Sequence, residues 1–217
     1  MAPLTVDRVI VHEDVSRTAE DVILSRANTL QRVLTLVAQQ GQQVEQAVAA
    51  MVQALGAGKL VLACGNGGSA ADAQHMVGEL VGRFLREREP WPAIALTTDS
   101  SILTSISNDY GFDQVFQRQV AAFGQPGGVF IGFSTSGESR NVLNAAREAR
   151  RRGMRVIAFT GQAPSSLGDA AEIVLSVPVA STPLVQEVHA VLLHVVCDMV
   201  ETELADLGQR ESEATVA

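Results

Sequence analysis

The sequence predicts an α/β fold in which one parallel sheet is covered by helices on both faces. Three observations carry that expectation. Short apolar runs alternate with helical patterns from residue 59 onward. The apolar residues are mainly Val, Leu, Ile and Ala, and aromatics are only 4% of the chain, as suits strands buried on both sides. Two of the runs end in turns rich in glycine and hydroxyl groups, at the strand ends where open α/β sheets bind ligands.

Taken in order, residues 1–17 read as a loosely attached N-terminal arm and residues 18–217 as a single domain that includes its N-terminal helices. A chain of 217 residues suffices for one well-buried core. From Thr18 to Leu55 the apolar positions Val22, Ile23, Ala27, Leu30, Val33, Leu34 and Val37 recur at helical spacing, with a break expected over Gly41–Gln43. The apolar face of these helices needs a partner, either the domain or another subunit.

Lys59–Cys64 is the first strand, and a helix is expected over Ala70–Leu85. Ala93–Leu96 is the second strand, followed by helices over Ser100–Ser107 and Asp113–Phe123. The third strand, Gly128–Phe133, leads into a helix over Arg140–Arg152. Met154–Phe159 and Glu172–Val177 complete five strands, and a last helix covers Pro183–Leu207. Pro183 fits a first helical turn, with Thr182 or Ser181 as cap.

The net charge of -8 disfavours a nucleic-acid partner, because the sequence-independent phosphate attraction needs positive charge. Arg150, Arg151 and Arg152 read as a solvated helix end that complements the helix dipole. Cys64 and Cys197 lie in apolar runs outside any CxxC pair and read as buried, reduced thiols. The N-terminal segment lacks the apolar core of a signal peptide, and no apolar run reads as a membrane span. A cytoplasmic protein with no membrane partner is the expectation.

The two turns are Cys64-Gly65-Asn66-Gly67-Gly68-Ser69 and Ser134-Thr135-Ser136-Gly137-Glu138-Ser139. Glycines let the backbone approach an anion, hydroxyls add donors, and each turn enters a helix N-terminus that favours phosphate. Neither carries the GK[ST] of a Walker A loop or the GxGxxG of a dinucleotide site, so a phosphosugar fits better than a nucleotide.

His75 and Glu79 stand four apart, on one helix face. The last helix carries Gln186, His189 and His194, with His189 on a different face from His194. Spacing alone leaves three readings open: an acid–base pair, a metal site, or a surface ion pair beside satisfied core histidines.

The runs CGNGGSAADAQHMVGELVGRF, PAIAL…NDYGF, STSGESRNVL, GMRVIAFTG and VQEVHAVLLH together resemble the phosphoheptose isomerases of the sugar isomerase (SIS) domain family. The resemblance spans Thr18 to about Glu203, with the segments in matching order and spacing. It implies a SIS-type three-layer αβα sandwich and a homotetramer with active sites between subunits. It implies isomerisation of sedoheptulose 7-phosphate to D-glycero-D-manno-heptose 7-phosphate through an enediol, the first step toward activated heptose.

By the same resemblance, phosphate and sugar hydroxyls are held by Asn66, Gly67, Gly68, Ser69, Asn108, Asp109, Ser134, Thr135, Ser136, Ser139 and Gln186. Arg83 also matches and is expected near the substrate. Glu79 and His194 are the implied acid–base pair, with Glu79 also meeting the sugar. His75, Glu79, Gln186 and His194 are the implied zinc ligands. Whether metal-bound Glu79 and His194 remain the bases is left open.

Ser181-Thr182-Pro183-Leu184-Val185 departs from the family pattern, which often has an acidic residue and an arginine before the glutamine. Other SIS proteins, one binding the replication initiator DnaA and others sensing phosphosugars, supply the alternative function. The DnaA binder lacks counterparts of Glu79 and His194, and the sensors carry a DNA-binding domain that nothing here matches.

Overall fold

The computed structural model describes the backbone of residues 18–216 and side chains to Leu207; the expected arm over 1–17 lies outside the described residues. Helices α1 (Ala19–Val37) and α2 (Gly41–Gly56) lead into β1 (Val61–Cys64) and α3 (Gly68–Val81). Then come β2 (Ala93–Ala95), α4 (Ser100–Tyr110), α5 (Val115–Phe123), β3 (Val129–Ser134) and α6 (Arg140–Arg151). The chain continues with β4 (Arg155–Thr160), α7 (Ser166–Ala170), β5 (Ile173–Ser176) and α8 (Thr182–Val216).

The five strands form one parallel sheet in the order β2-β1-β3-β4-β5. Their runs VLAC, VFIGFS and RVIAFT are apolar almost throughout because alternate side chains enter two separate cores. Val61, Ala63, Val129, Ile131, Phe133, Ile157 and Phe159 face the layer of α2, α3 and α8, joined by Val33 and Val37 of α1. Leu62, Cys64, Phe130, Val156 and Ala158 face the layer built from α5, α6 and α7. The three-layer sandwich is the expected one.

Several boundaries differ from the sequence expectation. Thr18 caps α1 through a reciprocal pairing with Asp21. The break between the first helices is a 3-10 turn at Ala38–Gln40, and Gly41 opens α2 instead of interrupting it. There Gln40 bonds the backbone and hydroxyl of Ser176 in β5, so a tertiary contact sets the break. Helix α3 ends at Val81, not Leu85, because Gly82 leaves helical geometry. Helix α7 is additional; its five residues are too few to show a helical period.

The Arg150–Arg152 segment is more than a solvated end. Arg151 and Arg152 both pair with Glu148, which is only 6% exposed. By length and composition, Thr182–Leu207 is apolar enough to cross a membrane, against the sequence expectation. Half of its apolar window is buried against the other helices and the sheet, as befits a core helix. Lys59, the sole lysine, precedes β1 at the edge of the sheet opposite the two glycine-rich turns.

Candidate active site

Strands β1 and β3 are direct neighbours, paired from Val61↔Val129 to Cys64↔Gly132. The turns that follow them are therefore adjacent at the carboxyl edge of the sheet. Asn66 and Asn141 bind them together: each side-chain amide donates to the other's carbonyl oxygen at 2.9 Å. Asn141, the second residue of α6, is buried and was not among the expected site residues. Its only sequence signal is its place just inside the helix that follows the hydroxyl-rich turn.

The first turn is shaped by two glycines. Gly67 caps α3 with φ 55°, a left-handed conformation that glycine adopts without strain. Gly68 lies under Gln186 of α8, and a β-carbon there would come within 2.7 Å of the Gln186 amide carbon. The structure thus seats Gln186 directly on the candidate phosphate loop. Ser69 is buried at the start of α3.

In the second turn, the Ser134 and Ser139 hydroxyls are 3.0 Å apart, and the Gly137 N–H donates to Ser134 Oγ. The Glu138 carboxylate accepts from the backbone and hydroxyl of Ser166 at the start of α7. Those bonds hold its carboxyl below the ordinary range. Helix α7 therefore braces this turn, leaving Thr135 half-buried and Ser136 exposed beside it.

A third feature lies where α3 meets α8. His75 Nε2 is 3.2 Å from Glu79 Oε1, as the four-residue spacing requires. His194, 119 residues further on, brings its Nε2 to 3.1 Å from that of His75. One ligand atom from each of the three residues lies within 4.8 Å of the others. A surface ion pair alone does not describe this convergence. Two imidazole nitrogens facing a carboxylate form an N, N, O set that suits zinc. Phe84 stacks on the His194 ring with centroids 5.6 Å apart, and His75 meets its edge.

Three expected residues pair elsewhere among the described residues. Asn108 and Asp109 hydrogen bond to each other on the exposed last turn of α4. Arg83 lies past the end of α3, 54% exposed and paired with Glu87, so it does not share the α3 face of Glu79. His189, by contrast, is fully buried. It bonds the Thr160 carbonyl and packs on Phe133 and Phe159. Burial pushes its pKa down to about 4, against an opposing effect of that bond, and leaves the ring neutral.

Two other groups near the cluster respond to burial. Desolvation raises Asp72, one turn before His75, to about 6, with the imidazole opposing. Cys197 is pushed up to about 12, mostly by burial and then by Glu79, so it is no thiolate nucleophile.

The SIS domain model matches residues 26–161, well over half of the chain. The chain belongs to the SIS domain family. Among its SIS relatives, a phosphoheptose isomerase from Geotalea daltonii is 47% identical over 192 residues, covering 87% of this chain and 97% of that one. Another from Roseiflexus is 57% identical over 147 residues, 68% of this chain and 74% of that one. The solved phosphoheptose isomerase from Neisseria gonorrhoeae superposes with a TM-score of 0.79 at 40% identity, over 85% of this chain and all of that one. The Francisella tularensis enzyme gives 0.80 at 38%, over 86% and 100%.

Proposed function

We propose that this chain is a phosphoheptose isomerase, converting sedoheptulose 7-phosphate to D-glycero-D-manno-heptose 7-phosphate. The observation that carries the proposal is the meeting of Glu79 and His194 from separate helices, beside two joined anion-binding turns. The phosphate sits in the turns, on Asn66, Gly67, Gly68, Ser69, Ser134, Thr135, Ser136 and Ser139, with two helix N-termini facing it. Gln186, resting on Gly68, lies between the phosphate and the reacting end.

Ketose-to-aldose conversion removes a proton from C1, passes through an enediol and delivers a proton to C2. Glu79 takes and returns the carbon-bound proton. His194 moves protons between the two oxygens, its ring held between Phe84 and His75. Zinc fits the donor set of His75, Glu79 and His194, with the Gln186 carbonyl as proposed fourth ligand. When bound, it supplies positive charge to stabilise the developing enediolate oxygen.

The DnaA-binding and phosphosugar-sensing alternatives are not favoured, because neither needs this carboxylate and imidazole together. A homotetramer is the proposed assembly; Val22, Ile23 and Leu24, exposed on α1, offer apolar surface to another subunit. The cytoplasm is the proposed compartment, in keeping with two free, buried cysteines.

The test is direct. Purified protein incubated with sedoheptulose 7-phosphate is expected to yield the aldoheptose phosphate by NMR or mass-balanced chromatography. Absence of product with and without added zinc would overturn the reading. Metal analysis of the purified protein, with His75→Ala alongside, checks the zinc set: the variant is expected to lose the bound metal.

A further inference from the structure

Helix α3 stops at Val81, and the next residues leave the backbone N–H groups of Phe84, Leu85 and Arg86 without helical partners. All three donate to one carboxylate, Glu201 of α8, at 3.1, 2.8 and 2.8 Å. Arg88 Nε completes the set at 3.0 Å. A carboxylate accepts about four hydrogen bonds, so Glu201 is saturated. Its side chain is only 2% exposed. Burial pushes this carboxyl up, but the hydrogen bonds from Leu85, Arg86, Phe84 and Arg88 outweigh it and hold it below the ordinary range.

Arg88 extends the clamp. Its terminal nitrogens donate to the carbonyls of Leu80, Glu79 and Glu89, and its guanidinium lies 3.5 Å over the Trp91 ring. The carbonyls at a helix C-terminus lack internal partners and favour a cation. The backbone of Glu79 is thereby tied, through Arg88, to Glu201.

Glu201 stands seven residues, about two turns, beyond His194 on the same helix. The segment it shapes carries Phe84, whose ring stacks on His194. An ion pair to α8 would need Arg88 alone. The three backbone donors mean that this carboxylate also sets the course of the chain that bounds the imidazole.

We propose that Glu201 is a positioning residue for the isomerisation, fixing His194 through Phe84 and Glu79 through Arg88 without touching substrate. The proposal rests on the isomerase reading above. Glu201→Gln retains size but offers one acceptor oxygen to the three amides and turns an NH2 group toward a cation. In folded Glu201→Gln, kcat is expected to fall at least tenfold while KM stays within twofold. Phe84→Leu keeps the N–H donors and removes the ring, and is expected to lower kcat similarly. The double variant should lose no more than the worse single variant.

Retention of kcat within twofold by either folded variant, or losses that multiply in the double variant, overturns the proposal. The His194 ring C–H signals in NMR of the full chain, read with metal chelated, supply a measure independent of turnover. The Phe84 ring-current shift should collapse in Glu201→Gln and in Phe84→Leu. Should the unaltered protein fail to turn over sedoheptulose 7-phosphate, the substrate assignment falls, and the NMR shift still decides: collapse supports positioning, an unmoved signal refutes it.

Discussion

His189 and His194 lie five residues apart on one helix, yet only one joins the candidate site. His189 points into the core between two phenylalanines and spends one nitrogen on the Thr160 carbonyl. His194 points across to α3, where a second imidazole and a carboxylate share its surroundings. Five residues turn a helix by about 500°, so the two side chains leave it some 140° apart. Which face a residue occupies, rather than its type, separates a core histidine from one that joins the candidate site.

The sharpest way to break this contrast is by substitution at the candidate site. Glu79→Gln and His194→Gln are each expected to lower kcat by about 10²–10⁴, the range of a general acid or base. His189→Gln should leave kcat at pH 7 within about threefold. Steady-state assays of the three variants check this, and comparable losses at 189 and 194 would erase the distinction.

The next effect lies in stability. His189 has a depressed folded-state pKa, about 4 against the ordinary 6.5, so the unfolded chain binds its proton first as the pH falls. The stability it contributes is therefore complete above about pH 6.5 and is lost as the pH drops through 4. The expected loss is about 3 kcal/mol across that window, as an order of magnitude. Urea unfolding of the native protein and His189→Gln at pH 7 and pH 4 measures it. The variant should lose about that much less between the two pH values.

A smaller effect is expected at Asn141. Removing its amide with Asn141→Ala leaves Asn66 without its reciprocal partner and loosens the link between the two turns. One net hydrogen bond is worth about 1–1.5 kcal/mol, so KM should rise roughly tenfold while kcat changes less. An unchanged KM would mean that the turns hold phosphate independently of each other.

The architecture was legible because both faces of the sheet are covered. Continuous apolar strands such as VFIGFS separate cleanly from helical patterns, and all five strands fall within a residue or two of expectation. What escaped was set by tertiary contacts. The apolar pattern of VGRFL runs on past Val81, and nothing local reveals that α3 stops there. Gln40 binds a strand 136 residues away, which no periodicity reports. At the site, the His75–Glu79 pairing follows from their spacing alone. The arrival of His194 does not, since 119 residues separate it from His75; the residue types of the last helix left it as one open reading, and the family resemblance singled it out. Asn141 was marked only by its place just inside α6.

Lys59 sits at the opposite edge of the sheet from both turns, and no other lysine exists in the chain. Under the proposed function, an anionic sugar is therefore held by backbone amides and hydroxyls, without a lysine ammonium group. Amine-directed coupling would consequently find one side-chain target, at that far edge, besides the terminal α-amine.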